Sequence, residues 1–129
     1  MATKYQDSTP QRKTWEVGAV NKPLTYTTWG YDSVLVAFIT DENIEAGCIV
    51  FEGYLGYKPL DHPEEEWGSW YRISGVDVLT GERVGYYRPW GNDAYLIKTI
   101  GFSQFRVRED VPLEGSGKLE VSLACHAVA

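Results

Sequence analysis

In residues 118–126, KLEVSLACH, apolar and polar side chains alternate without a slip. Leu119, Val121, Leu123 and Cys125 fall on one side, Lys118, Glu120, Ser122 and Ala124 on the other. Only a strand with one buried and one wet face needs this period. A second segment, SVLVAFIT at residues 33–40, is almost continuously apolar and rich in β-branched residues. A run of that kind suits a strand covered on both faces. Its bounds are Gly30 before it and Asp41-Glu42-Asn43 after it. Further short β-prone segments follow the same plan: 14–19, 24–28, 47–55, 70–75, 84–90, 94–100 and 102–108. Turn clusters punctuate them at Leu79–Glu82, Gly91-Asn92-Asp93 and Glu114–Gly117. No segment carries a helical apolar stripe. The expectation is an all-β chain, a jelly-roll-like antiparallel β-sandwich of eight or nine short strands.

Residues 1–13 break the plan. They are polar, contain Pro10 and show no period. They read as a flexible or extended N-terminal arm, with a single sandwich domain over 14–129. An extended arm of that length spans roughly 45 Å, enough to reach a neighbouring subunit. Lys4, Arg12 and Lys13 against Asp7 make it basic on an acidic body. Tyr5, and Trp15 just beyond it, supply aromatic anchors of the kind interfaces favour. The arm is therefore expected to order on a partner.

Charge narrows the partners. The chain has 12 Lys and Arg against 18 Asp and Glu, a net charge of −6, which argues against unaided nucleic-acid binding. No apolar run approaches a membrane span of ~20 residues, and the first residues lack the apolar core of a secretory signal. Cys48 and Cys125 stand apart with no CxxC and read as reduced, small apolar residues.

Candidate chemistry is sparse. Asp61, His62 and Glu64-Glu65-Glu66 form the densest titratable group. Consecutive carboxylates fan apart, and the backbone spacing of a calcium loop is missing, so these residues read as a solvated acidic loop. Sequence motifs of hydrolases, metalloproteases and nucleotide binders are absent; no catalytic residue, metal or cofactor is expected. Trp67, Trp70, Tyr71, Tyr86, Tyr87 and Trp90 offer flat rings for sugar stacking, or else core and interface anchors. Arg106 and Arg108 are alternate residues of one strand and share a face. They suit a partner carboxylate, a phosphate or a sugar, or simply a solvated edge.

Several pieces in order resemble a β-sandwich domain of tailed-bacteriophage virion proteins: Phe51-Glu52-Gly53, Trp70-Tyr71-Arg72-Ile73, the Asp77–Gly81 turn, Gly101-Phe102-Ser103-Gln104-Phe105-Arg106-Val107-Arg108, and the final strand from Ser116 to Ala127. The likeness covers residues 30–127; the acidic loop 56–69 departs from it. It implies a non-enzymatic structural protein of the virion, assembled in the bacterial host cytoplasm. The leading form is a capsid decoration (cement) protein. A tail or baseplate accessory and a carbohydrate-binding adhesion module are the alternatives. The implied partners are the major capsid protein or other virion subunits, with a homo-oligomer, for example a trimer, on the particle, and neither nucleic acid nor membrane. Tyr5, Arg12, Trp15, Arg106 and Arg108 are the expected partner contacts.

Overall fold

The computed structural model describes residues 5–7, 10–28, 31–57, 60–62, 64 and 67–128. Twelve strands run in chain order: β1 (Tyr5–Asp7), β2 (Gln11–Glu16), β3 (Leu24–Thr27), β4 (Ser33–Thr40), β5 (Ile44–Tyr57), β6 (Trp67–Ile73), β7 (Gly75–Asp77), β8 (Arg83–Val84), β9 (Tyr86–Tyr87), β10 (Asp93–Lys98), β11 (Gln104–Gly115) and β12 (Lys118–Val128). All pairings are antiparallel. The chain is all-β among the described residues, as its alternation requires.

Sheet A contains the path β2-β12-β4-β10, extended by β7 and β8; sheet B contains β3-β11-β5-β6, with β9 also on β5. Those two four-strand paths are the jelly-roll order. Eight of the nine β-prone segments supply this frame; the ninth, 84–90, meets only the short strands β8 and β9 and is not one long strand. β1, β7, β8 and β9 are two- or three-residue strands at the margins of the frame.

The N-terminal segment departs from expectation. β1 and β2 both pair with β12, along its outer edge. Asp7 lies opposite His126 and Gln11 opposite Leu123, so four steps along one strand match three along the other. The boundary expected after residue 13 therefore runs through β2, and Arg12 and Lys13 belong to this chain's own sheet. Backbone hydrogen bonding to β12 sets their place, and a polar edge strand leaves no hydrophobic period to read. The long loop is also shorter than expected. β5 continues through Tyr57 and β6 begins at Trp67, with Leu55 opposite Ser69.

The inner faces close on one core. Sheet A contributes Val34, Val36, Phe38, Tyr95, Ile97, Leu119, Val121, Leu123 and Cys125; sheet B contributes Ile49, Phe51, Phe105 and Val107, all buried. The four expected inward residues of β12 are each at most 1% exposed. At the centre, Phe38 of sheet A stacks on Tyr87 of sheet B, with ring centroids 4.0 Å apart and planes 6° from parallel. Phe51 and Tyr95 complete the cluster at 5.2 Å from each other. Each such pair adds ~0.5–1.5 kcal/mol beyond its burial and ties the sheets together.

Candidate functional site

β4 is apolar on both sides but covered on one. Val34, Val36 and Phe38 are buried, while Leu35 is 44% and Ile39 54% exposed. Residues directly opposite in a sheet share a face. Leu35 lies between Leu96 and Ala124, and Ala37 between Ala94 and Ser122. The outer face of sheet A therefore has an apolar centre of Leu35, Ala37, Ala94, Leu96 and Ala124. At its margin are Lys98, Ile39, Glu120 and Arg12, the last two joined by an exposed ion pair at 3.3 Å. A groove of about 590 Å³ runs beside Leu35, Leu96 and Ala124 towards Pro10 and His126. Covering both faces of β4 was the sequence expectation. Among the described residues, only the inner face is covered.

The outer face of sheet B is built differently. Glu52 sits opposite Arg106 on one neighbouring strand and Arg72 on the other. Its carboxylate accepts hydrogen bonds from Arg106 Nε at 2.7 Å, Arg108 Nε at 2.8 Å and Arg108 Nη2 at 3.0 Å. The Arg106 guanidinium lies 4.1 Å from the Trp70 ring centroid. Arg72 pairs with Asp110 at 2.8 Å. Glu52 is thus only 6% exposed although it faces outward. The Arg108 hydrogen bonds hold its carboxyl below the ordinary carboxylate range, and Arg106 adds to this against the upward push of burial. Arg108 is raised in turn, first by its hydrogen bond to Glu52.

The expected partner contacts separate. Arg106 and Arg108 already hold a carboxylate, Glu52 of the same chain. Trp15 is 1% exposed, and its indole N–H donates to the Lys22 carbonyl at 3.1 Å. It is a core residue here, because β2 docks on β12 opposite Leu119. Arg12 remains at the surface beside the apolar face. The backbone of Tyr5 pairs with Val128.

The aromatic candidates divide as well. Tyr87 is core. Trp70 lies under Arg106, and Trp67 and Tyr71 are half-exposed on the edge strand β6. Tyr86 and Trp90 flank Arg88, whose guanidinium carbon is 5.4 Å and 5.2 Å from their ring centroids. His62 contacts Glu64 at 3.4 Å; Glu65 and Glu66 lie outside the described residues. Among the described residues no group of Cys, His, Asp and Glu has the makeup of a metal site. Cys48 and Cys125 lie on different sheets and form no disulfide, and burial pushes the Cys48 thiol up.

No family model and no curated protein matches this sequence. Two solved structures are similar in fold. The SPBc2 prophage-derived protein YomS has a TM-score of 0.60 at 10% identity, covering 93% of this chain and 96% of its own. The PBSX exported protein XepA has a TM-score of 0.61 at 13% identity, covering 93% of this chain; this chain spans 39% of XepA. The shared property is the sandwich itself.

One polar pair lies at the sheet A edge. Asp77 and Asp93 carboxyls share a hydrogen bond. That bond holds Asp77 below its ordinary value, with further help from the Leu79 and Thr80 amides it accepts. Burial raises Asp93, whose other oxygen accepts the Tyr95 hydroxyl at 3.0 Å. The arrangement closes the β7–β8 turn against β10 and fits a structural role. The exposed apolar face that sequence reasoning missed is Leu35 with Leu96. Its signal was present in the two-sided apolarity of SVLVAFIT.

Proposed function

We propose that the chain is a non-enzymatic structural protein of a bacteriophage particle, a capsid decoration subunit that bridges neighbouring major capsid subunits. The observation that carries this reading is the bare apolar face of sheet A. β4 has the sequence of a strand buried on both sides, and the missing cover is a capsid surface. An apolar centre with a charged margin is the anatomy of such a contact. The phage setting is supported by the fold likeness to a prophage-derived protein. The net charge of −6 suits a position outside the shell, away from packaged DNA. Arg12, at the margin, reaches an acidic group on the capsid. Bridging of this kind resists the internal pressure of packed DNA.

The test is co-sedimentation with particles assembled from the major capsid protein of the same genome. Leu35→Asp with Leu96→Asp buries two charges in the contact. The double variant folds, as judged by circular dichroism, and loses at least tenfold in particle occupancy. A folded double variant that loads to full occupancy disproves the role of this face. Binding to tails in place of heads assigns the protein to the tail and overturns the decoration reading.

A further inference from the structure

At one end of the sandwich, the β4–β5 turn and the loop 88–92 enclose an open cleft of about 580 Å³. That is within the ~300–1,000 Å³ of small-molecule sites. Trp90, Glu42, Glu45, Asn92, Thr40 and Pro89 line it.

The loop is fixed onto the core rather than draped over it. Tyr87, stacked on Phe38, donates its hydroxyl to the Gly91 carbonyl at 2.7 Å. Asn92 Oδ1 accepts the Thr40 amide at 2.9 Å, and the Thr40 hydroxyl lies between the Asp41 carbonyl at 3.1 Å and the Pro89 carbonyl at 3.3 Å. Trp90 is nonetheless 70% exposed. Its indole N–H points to the Glu45 carbonyl at 3.4 Å, and Arg88 lies against the ring from outside the cleft. A large flat ring is thus held in one orientation and left in water. Binding to such a ring carries little ordering cost.

The polar groups around it complete the chemistry. No hydrogen bond or ion pair among the described residues engages the Glu42 or Glu45 carboxylates. The Asn92 amide has its oxygen committed to Thr40, which turns its NH₂ into the available donor. Carboxylate acceptors and an amide donor beside an aromatic plane match a ligand with an apolar C–H face and a rim of hydroxyls. Anions are disfavoured by the two carboxylates. Cations are disfavoured at the ring, because Arg88 already occupies its electron-rich π system.

We propose that this cleft binds carbohydrate: a neutral hexopyranose stacks its C–H face on Trp90 and hydrogen-bonds through its hydroxyls to Glu42, Glu45 and Asn92. The cleft is separate from Leu35 and Leu96, so a subunit docked by sheet A still presents it. Repetition over a particle multiplies a weak single-site affinity.

Calorimetric titration of the full chain with neutral trisaccharides of glucose, galactose, mannose and N-acetylglucosamine tests this. At least one binds with a Kd of about 1 mM or better. Trp90→Ala weakens that binding at least tenfold, Trp90→Phe retains most of it, and Glu45→Gln weakens it severalfold. Leu35→Asp with Leu96→Asp leaves it unchanged, which separates this site from the docking face. Because Trp90 is exposed, Trp90→Ala keeps the thermal midpoint of the parent; should it fall, Glu42→Gln and Glu45→Gln decide alone. The proposal fails if none of the four sugars binds, if binding survives both glutamate changes, or if a trilysine peptide binds at the cleft instead.

Discussion

The two outer faces of this sandwich follow one alternating rule and reach opposite results. On sheet B, Glu52, Arg106, Arg108, Arg72 and Trp70 fold over one another, and an outward carboxylate becomes nearly inaccessible. On sheet A, Leu35 and Leu96 stand in water at 44% and 47% exposure. The difference is side-chain reach. Arginine has a stem long enough to lie across a sheet and a head that finds its own partner. Leucine and alanine have neither, so a face made of them is completed only by another surface. Charge on a strand therefore does not by itself identify a binding face, and here the uncharged face is the one left open.

Four measurements sharpen or break this contrast. Both faces presuppose one shared core, and Leu123→Ala within it costs ~2–5 kcal/mol by urea denaturation; a loss below about 0.5 kcal/mol removes β12 from its assigned place. Glu52→Ala leaves Arg108 with Asp110 and Arg106 with Trp70 and, because both guanidiniums are partly exposed, costs about 1–2 kcal/mol. An effect as small as that of an ordinary surface change would mean the cover on sheet B does not stabilise. The pH dependence has a definite sign. Glu52 has a folded pKa below its unfolded value, so its contribution is complete above the ordinary carboxylate range and is lost as pH falls through the folded value. Glu52→Gln accordingly flattens the acid limb of the stability profile in that window; an unchanged limb would place the acid sensitivity elsewhere. Finally, Leu35→Ser with Leu96→Ser alters isolated-chain stability by less than about 0.5 kcal/mol per site. A larger loss would show that sheet A covers these residues by itself.

The frame was readable because it rests on period. β4 spans Ser33–Thr40, the range of the apolar run, and the alternation in β12 sorted inside from outside residue by residue. What escaped was whatever depends on contacts distant in sequence. The Phe51-Glu52-Gly53 and Phe102–Arg108 segments look unrelated along the chain. In space Glu52 meets Arg106 and Arg108. Gly53 takes the ring of Phe102, where an added Cβ would stand 2.6 Å from its Cδ1. Trp15 read as an interface anchor because its burial comes from β12, about a hundred residues away. The cleft at Trp90 depends on two turns that no local pattern joins.

The pairing of Tyr5 with Val128 brings the first and last described strands side by side on one edge. A fold whose two ends meet behaves like a cassette. It can be spliced into a host polypeptide through short connectors, or strung in series, without prising the sheets apart. A circular permutant that joins residue 128 to residue 5 through a brief glycine-rich bridge and reopens at the 78–82 turn would keep both sheets intact. For a protein engineer, this edge is a natural attachment point: cargo joined at residue 5 or residue 128 leaves from the same margin of sheet A.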